Sequence, residues 1–247
     1  MGQKFWDEMS KEYFDTHKNE DEVELEAEEN FIFAWPVIKK FISDHFKETN
    51  KKRALDFGCG AGKICSELYS MGFDTTGIDY SEGMINTAKK NLDKNINLFI
   101  GKSGKSLEIA NRDGKFDLIV SILVFPFIKN IEKTLNNLSK SLNNGGYICF
   151  VAFNKGWVKE ALIKGIDYKQ PIGTEGIKKL IMDFGANGQT DVFHRSPKEY
   201  NQIMKKLGYK KLIEEYPLFT EDFISKVYPG MPKKISEFMI LGYQKTA

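Results

Sequence analysis

The chain has 247 residues, of which 41% are hydrophobic, with 36 basic and 34 acidic side chains. This length and apolar content predict a single domain, residues 1–247, with one large core. The near balance of charge excludes the strongly basic surface with which proteins attract nucleic acid, and no run reaches the roughly 18 apolar residues that a membrane helix needs. We therefore expect no nucleic-acid partner and no membrane span.

The cysteines and the first residues bear on the cellular compartment. Cys59, Cys65 and Cys149 are an odd number and show no CxxC spacing, so they favour neither a disulfide framework nor a metal site. The opening stretch "MGQKFWDEMSKEYFD" is polar and charged, unlike a secretory signal peptide. We expect a protein of a reducing compartment, the cytoplasm.

Residues 1–50 precede the first regular pattern and predict an N-terminal helical cover. Aromatic residues are interleaved there with charged ones, which indicates that the segment packs over something, and residues 19–30 form an acidic, solvated face. The stretch "FIFAWPVIKKFISDHF", from Phe31 to Phe46, predicts a helix with Pro36 in its first turn.

Strands alternate with helices over residues 51–154. The apolar runs "RALDFG", "DTTGIDY", "INLFIG", "FDLIVSILVF" and "YICFVAF" predict five strands, with amphipathic helical patterns between them. The fourth run is nearly continuous in apolar residues, which is typical of a central strand covered on both faces. This alternation predicts right-handed βαβ units and an α/β fold with a doubly wound sheet.

The alternation stops after Phe153, and residues 155–195 predict an insertion with short helices over Trp157–Lys164 and Glu175–Phe184. Residues 196–247 predict the C-terminal part of the sheet. A helix begins there at "SP" and ends at Gly208, and the strands "YKKLIEEY" and "SEFMILGYQK" follow, separated by a loop that contains three prolines.

The loop "LDFGCGAGK", from Leu55 to Lys63, lies between the first strand and its helix. Glycines at that place expose backbone N–H groups at a helix N-terminus and allow a ligand to approach closely. A dinucleotide-binding loop requires a third glycine where this chain has Lys63, which disfavours a nicotinamide-dependent oxidoreductase. No G-K-[ST] sequence closes the loop, so a P-loop is excluded.

Two acidic residues flank the glycine loop in the predicted fold. Asp79 ends the second strand about 20 residues after the glycines, where a carboxylate can accept hydrogen bonds from both ribose hydroxyls of an adenosine. A helix-capping or solvated aspartate at a strand end is the alternative for Asp79. Asp56 comes directly before the glycines, and its charge suits a positively charged ligand and would repel a diphosphate.

The segments "LDFGCGAGK", "GIDYSEGMINTAKKN", "FDLIVSILVF" and "LNNGGYICFVAF", in that order and spacing, resemble class I S-adenosylmethionine-dependent methyltransferases. The resemblance is to the small-molecule group that includes enzymes of the ubiquinone/menaquinone-biosynthesis type. It implies a seven-stranded, mostly parallel sheet of order 3-2-1-4-5-7-6 whose last strand is antiparallel. It also implies S-adenosyl-L-methionine as cofactor, with S-adenosyl-L-homocysteine as product.

The resemblance further implies a cofactor site around the glycine loop and the ends of the following strands, formed by Asp56, Gly58, Cys59, Gly60, Asp79, Tyr80, Met84, Ser103, Ser121 and Ile122. The methionine part would lie against the glycine backbone, with its ammonium near Asp56 and the ribose hydroxyls on Asp79. Tyr80 and Met84 would pack on the adenine. Ser103 stands where relatives commonly have an aspartate, so its hydrogen bond would lack charge assistance.

The acceptor side of the site is less well defined by the sequence, and no residue is assigned as catalytic. The expected substrate contacts are Tyr13, Phe125, Trp157 and His194. The abundance of aromatic residues in those regions favours an acceptor with an apolar or aromatic part. Val124 lacks the side-chain acceptor with which amino-methylating enzymes hold a planar amine, which disfavours that group.

The resemblance therefore implies an S-adenosylmethionine-dependent methyltransferase, EC 2.1.1.-, that acts on a small molecule, and we expect no resident metal. A protein that binds S-adenosylmethionine or S-adenosylhomocysteine without transferring the methyl group is the alternative, because no catalytic base is evident. Binding measurements and turnover with labelled cofactor distinguish the two.

Overall fold

A seven-stranded sheet forms the centre of the computed structural model, which describes residues 2–12, 29–102, 104–171, 178–184 and 188–246. The strands in chain order are β1 (Arg53–Phe57), β2 (Asp74–Asp79), β3 (Asn97–Ile100), β4 (Phe116–Ile122), β5 (Leu142–Phe153), β6 (Tyr168–Lys169), β7 (Lys179–Asp183), β8 (Gln189–Phe193), β9 (Tyr209–Glu215) and β10 (Phe238–Lys245).

The helices lie on both faces of this sheet and along its carboxyl edge. In chain order they are α1 (Gly2–Glu12), α2 (Trp35–His45), α3 (Lys63–Ser70), α4 (Glu82–Asn91), α5 (Lys105–Ala110), α6 (Ile131–Ser141), α7 (Lys155–Lys164), α8 (Pro197–Lys206) and α9 (Glu221–Val227). A 3-10 turn, Phe125–Phe127, follows β4. In the described part of the chain, no helix combines the length and hydropathy needed to cross a lipid bilayer.

The order of strands in the large sheet is β3-β2-β1-β4-β5-β10-β9. β10 runs antiparallel to both β5 and β9, whereas the pairs among β1 to β5 are parallel. Since β10 is the seventh strand of this sheet along the chain, the expected order 3-2-1-4-5-7-6 with an antiparallel last strand is confirmed.

The central strand β4 is covered on both faces, as its continuous apolar run predicts. Leu118 and Val120 belong to the core layer that α2 and α7 cover, and Ile119 belongs to the opposite layer under α6 and α8. Each of the three side chains is fully buried. Successive side chains of β4 point to opposite faces of the sheet, and all three are buried, so helices must cover both faces.

The N-terminal cover begins with α1, which packs against α4. The helix predicted over Phe31–Phe46 starts with a π-helical turn, Asn30–Ala34, and continues as α2 with Pro36 in the first turn. Trp35, Ile38 and Phe41 are buried against the sheet. The acidic segment between α1 and this turn lies outside the described residues.

The insertion after β5 contains three strands that the sequence analysis did not predict. α7 confirms the helix expected over Trp157–Lys164, but the helix expected over Glu175–Phe184 is wrong, because Lys179–Asp183 is the middle strand of a small antiparallel sheet, β6-β7-β8. The stretch "KLIMD" is a short apolar run, which periodicity alone cannot assign to helix or strand. Its partners across the sheet decide the conformation.

The proline-containing loop before the last strand also holds a helix that the sequence analysis did not predict. α9 begins after Thr220, whose Oγ1 accepts a hydrogen bond from Phe223 N at 3.2 Å. The side chains of Phe223 and Ile224 are buried beneath it. The sequence does contain the pattern of a helix start, because a threonine at the N-cap is followed by Glu221 and Asp222 in the first turn.

We expect Gly77→Ala to destabilise the fold by about 1–3 kcal/mol, because the added methyl group overpacks the sheet. A Cβ atom at Gly77 would lie 2.7 Å from Cys65 Sγ, 2.9 Å from Cys59 Sγ and 2.9 Å from Leu98 Cδ2. The control, Gly156→Ala in the first turn of α7, has Ile235 Cγ2 at 3.3 Å as its nearest neighbour and gains helix propensity. Urea unfolding of both variants measures the difference, and equal stabilities would contradict this account of β2.

Candidate functional site

A cavity of about 690 Å³ opens at the carboxyl ends of β1, β2 and β4. Its lining includes Asp56 to Ala61, Asp79 to Tyr80 and Ile122 to Val124. β1 lies beside both β2 and β4, and the chain reverses its direction of travel across the sheet at this point. Crevices at such switch points are where open α/β sheets bind ligands, and the volume is typical of a small-molecule site.

The glycine loop leaves β1 with its backbone turned toward β2 and the cavity. Gly58 N and Cys59 N donate hydrogen bonds to Ile78 O at 2.7 and 3.1 Å. Gly60 has a φ of 53°, and a Cβ atom placed there would meet no atom within 4 Å. A Cβ atom at Gly58 would instead overlap Val124, with Cγ2 at 2.1 Å. The loop thus packs tightly at Gly58 and leaves open space beside Gly60.

Asp79 ties this loop to the start of α4. Its Oδ2 accepts a hydrogen bond from Gly60 N at 3.0 Å, and its Oδ1 accepts one from Ser81 N at 2.9 Å. Burial raises the pKa of Asp79, while these backbone donors act in the opposite direction. The carboxylate therefore has fixed orientation at the edge of the cavity.

Asp56 lies deeper than Asp79 and has weaker support for its charge. Its side chain is 2% exposed, and Cys65 Sγ donates to its Oδ2 at 3.4 Å. Burial raises the pKa of Asp56 to about 7, and the nearby charge of Asp79 adds to the increase. A site with two buried acids and few donors favours a ligand that brings positive charge or hydroxyl groups.

The opposite wall of the cavity is apolar and comes from α1, the 3-10 turn and the insertion. The ring centroids of Trp6 and Phe127 are 5.3 Å apart, and those of Trp6 and Phe184 are 6.1 Å apart. Phe153 and Met182 extend this wall. These five side chains, named here the apolar wall, give this side of the cavity little capacity for hydrogen bonds.

Arg195 fixes the 3-10 turn that carries part of this wall. Its guanidinium donates to Phe125 O in the turn at 3.2 Å, and to the carbonyl oxygens of the two residues that follow the turn, Ile128 at 2.6 Å and Lys129 at 2.9 Å. The residue follows β8, so the small sheet and the loop after β4 are joined through one side chain. Phe127 is thereby held in place from the insertion.

The structure brings eight of the expected cofactor residues to the cavity: Asp56, Gly58, Cys59, Gly60, Asp79, Tyr80, Met84 and Ile122. Ser121 is buried behind them, and its hydroxyl donates to Phe57 O at 2.9 Å. Ser103 lies outside the described residues. The roles of all ten in holding a cofactor stay predictions.

The expected substrate residues lie elsewhere. Phe125 packs against Phe57 and Phe150, and Trp157 packs against Phe219 and Tyr228 in the core. His194 is buried with its ring beside Phe153 and Tyr168. None of these three is among the described residues that line the cavity, and Tyr13 lies outside the described residues. Their contact with an acceptor stays a prediction.

The protonation state of His194 follows from its position behind Phe153. Burial lowers the pKa of His194 to about 4, and the positive charges of Arg195 and Lys155 act in the same direction. The imidazole is therefore neutral at pH 7, one aromatic layer away from the cavity.

Several cavity residues were not anticipated as site residues from the sequence. The polar ones are Glu29, Asn30, Lys63, Lys102, Asn130, Lys133 and Thr134. Lys63 follows the glycines of the loop, and in the sequence analysis it serves only as evidence against a dinucleotide-binding loop. No local sequence pattern predicts that Glu29 lies at the cavity. Its Oε2 accepts a hydrogen bond at 2.8 Å from the hydroxyl of Tyr228, which is 199 residues away along the chain.

We expect Asp56→Asn to stabilise the ligand-free protein at pH 8 by about 2–4 kcal/mol. With the pKa of Asp56 at about 7, the folded protein keeps a proton that the unfolded chain releases from about pH 4 upward. The stability that the protonated Asp56 carboxyl contributes to the folded protein is fully present below about pH 4 and is lost as the pH rises to about 7.

Urea unfolding from pH 4 to pH 8 measures this gain, which should shrink toward zero at the acidic end. The exposed Asp113→Asn is the control and should behave as wild type at every pH. A gain for Asp56→Asn that is independent of pH would contradict the proposed titration.

Comparison with known proteins places this geometry in a family. The family model described as a methyltransferase domain matches residues 48–208. The ubiquinone biosynthesis O-methyltransferase of Rickettsia bellii is 28% identical over 130 residues, which cover 53% of this chain and 52% of that protein. This chain therefore spans about half the length of the Rickettsia relatives that it matches. The protein of the same name from Coxiella burnetii is 28% identical over 196 residues, 77% of this chain and 79% of its own length.

Solved structures share the fold at lower sequence identity. An S-adenosylmethionine-dependent methyltransferase from Mesorhizobium loti has a TM-score of 0.62 and 19% identity, covering 85% of this chain and 96% of that one. Magnesium protoporphyrin IX methyltransferase from Synechocystis, solved with bound SAH, has a TM-score of 0.65 and 11% identity, covering 98% and 97%. The family model extends over more than half of the chain, and the sheet order is the one that the motifs implied, so this chain belongs to the methyltransferase domain family.

Proposed function

We propose that this protein transfers a methyl group from S-adenosylmethionine to a small-molecule acceptor and releases S-adenosylhomocysteine. The observation that carries the proposal is the pair of buried carboxylates, Asp56 and Asp79, on either side of a glycine loop with open space beside Gly60. Membership of the methyltransferase domain family supports the same activity.

The residues present fit this cofactor in charge and in shape. An ammonium group near Asp56 favours the ionised form of a carboxyl whose pKa is otherwise about 7. Asp79 offers two carboxylate oxygens to a ribose diol at the end of β2. Gly60 lets the amino-acid part lie directly on the backbone. When bound, the cofactor supplies a methyl group activated by a positively charged sulfur.

Tyr80 and Met84 would flank the adenine beyond Asp79. Met84 is 3% exposed, and Lys102 Nζ lies 5.3 Å from the centroid of the Tyr80 ring. Burial raises the pKa of the Tyr80 phenol, so the ring stays neutral and suitable for stacking. The positions of Ser103, Ser121 and Ile122 in the sequence make them the remaining candidates for cofactor contacts.

The acceptor proposed for the space beside the apolar wall has an apolar or aromatic part. Trp6, Phe127, Phe153, Met182 and Phe184 present flat or flexible apolar surface there. The chain's contribution to catalysis is to hold the nucleophile in line with the methyl group and to exclude water, which favours a reaction that neutralises charge. The ubiquinone biosynthesis O-methyltransferases of Rickettsia and Coxiella, similar over part of this chain, support an oxygen nucleophile.

Two further features bear on where and on what the protein acts. All three cysteines are buried free thiols, which supports a reducing compartment, the cytoplasm. The net charge of +2 supports a small molecule rather than nucleic acid as acceptor. The binding-protein alternative retains the absence of an assigned catalytic base as its one argument.

We expect S-adenosylhomocysteine to bind the wild-type protein and Asp79→Ala to weaken binding by at least about 30-fold, since two hydrogen bonds to a charged group are lost. Isothermal titration calorimetry measures both. Asp113→Ala, an exposed aspartate far from the cavity, should bind as wild type. Binding of NAD(H) in place of S-adenosylhomocysteine would overturn the proposed cofactor.

We expect turnover with methyl-labelled S-adenosylmethionine to give a product with at least one hydroxylated aromatic compound in a metabolite panel. Phe127→Ala should then lower kcat/KM by about tenfold or more, because one face of the apolar wall is lost, while the affinity for S-adenosylhomocysteine stays unchanged. A lack of product with every oxygen, nitrogen, carbon and sulfur nucleophile in the panel would favour the binding-protein alternative.

A further inference from the structure

The first helix makes a polar contact with the start of α4, next to the proposed adenosine end of the cavity. Asp7 Oδ1 accepts a hydrogen bond from Ser81 Oγ at 2.6 Å and another from Gly83 N at 3.1 Å. Both donors belong to the N-terminal turn of α4, where a negative charge is favoured by the helix dipole. Asp7 therefore anchors α1 at a place that favours a carboxylate.

The two helices approach each other so closely that α4 requires a glycine at the crossing. A Cβ atom at Gly83 would lie 2.2 Å from Ser10 Oγ, 3.1 Å from Ser10 Cβ and 3.2 Å from Asp7 O. Gly83 has ordinary helical backbone, so the requirement comes from α1 and not from the turn itself. The crossing is a second observation, independent of the hydrogen bonds of Asp7, that α1 docks here.

Ser81 connects the anchor to the proposed ribose-binding carboxylate. Its backbone N–H donates to Asp79 Oδ1 at 2.9 Å, and its Oγ accepts a hydrogen bond from Met84 N at 3.2 Å. The same hydroxyl donates to Asp7. Asp7 and Asp79 are therefore joined through a single residue, and the position of one affects the position of the other.

The remaining contacts of α1 extend from this anchor to the acceptor side of the cavity. Phe5 and Met9 pack with Met84 in one buried cluster. Trp6 reaches across to Phe127 and Phe184 of the apolar wall. One short helix thus touches Met84, the proposed adenine contact, and also supplies Trp6 to the apolar wall.

We propose that Asp7 is a positioning residue that latches α1 over the bound cofactor, and that this latch slows release of the cofactor and sets Trp6 in the acceptor wall. The inference rests on the proposed function, because it concerns the residence time of that cofactor. Asp7 acts through Ser81 and through the docked helix, without contact to the reacting atoms.

The test is the dissociation rate of S-adenosylhomocysteine, measured by stopped-flow competition for the full-length protein. Asp7→Ala is expected to raise this rate about tenfold, as the loss of a charge-assisted anchor implies. Asp7→Asn keeps an oxygen that accepts both hydrogen bonds and should restore most of the slow release. Glu8→Ala, at the neighbouring exposed position of α1, is the matched control and should release at the wild-type rate.

A second route undocks the helix without changing Asp7. Gly83→Ala should raise the dissociation rate as Asp7→Ala does, although alanine favours α4 itself. Adding Ser10→Ala removes the contact at 2.2 Å and should recover part of the slow release. A role of Gly83 confined to the folding of α4 would show no such recovery.

Amide hydrogen exchange of residues 2–12, measured with and without S-adenosylhomocysteine, tests the docking of α1 independently of the dissociation rate. Ligand should increase protection of α1 in the wild-type protein and in Glu8→Ala, and not in Asp7→Ala. If the wild-type protein binds S-adenosylhomocysteine and Asp7→Ala shows the wild-type release rate and the wild-type protection of α1, the latch is overturned and the proposed function is not. Failure of the wild-type protein to bind S-adenosylhomocysteine would overturn the proposed function and the latch with it.

Discussion

The burial of negative charge at the carboxyl edge of a parallel sheet is the constraint on which the rest of this structure depends. A buried carboxylate is costly unless donors surround it, and Asp79 obtains two of them from backbone N–H groups of Gly60 and Ser81. Because both donors are backbone N–H groups, Asp79 fixes the path of the chain in the glycine loop before α3 and at the start of α4. Asp56 receives its hydrogen bonds from the thiol and the backbone of Cys65, and burial still raises its pKa to about 7, so a cation bound beside it would favour the ionised form.

The two halves of the cavity are built by different means. One half, which we propose for the methyl donor, comes from adjacent strand ends, where the parallel topology brings β1, β2 and β4 together whatever the loops contain. The other half, which we propose for the acceptor, comes from α1, the turn after β4 and the small sheet, which meet through aromatic packing and the guanidinium of Arg195. Changes in the acceptor half can therefore alter selectivity while the sheet keeps its geometry.

This division explains what the sequence could predict. The order of the sheet and the residues Asp56, Gly60 and Asp79 are tied to strand ends that periodicity and the motifs locate, and the family and fold were predicted correctly. The strand at Lys179–Asp183 was missed because its five residues do not distinguish helix from strand without their partners. Phe184 and Glu29 could not be placed at the cavity, since the contacts that bring them there join distant parts of the chain.

The hydrogen bond from Tyr228 to Glu29 gives the cavity a particular order of assembly during synthesis. The strands β1, β2 and β4 are synthesised before α9. The hydroxyl of Tyr228, to which Glu29 is hydrogen-bonded, is synthesised 199 residues after Glu29. A nascent chain therefore possesses its glycine loop and Asp79 before the wall beside Glu29 is complete. Because Tyr228 is synthesised 199 residues after Glu29, this side of the cavity is completed only after α9 has been made.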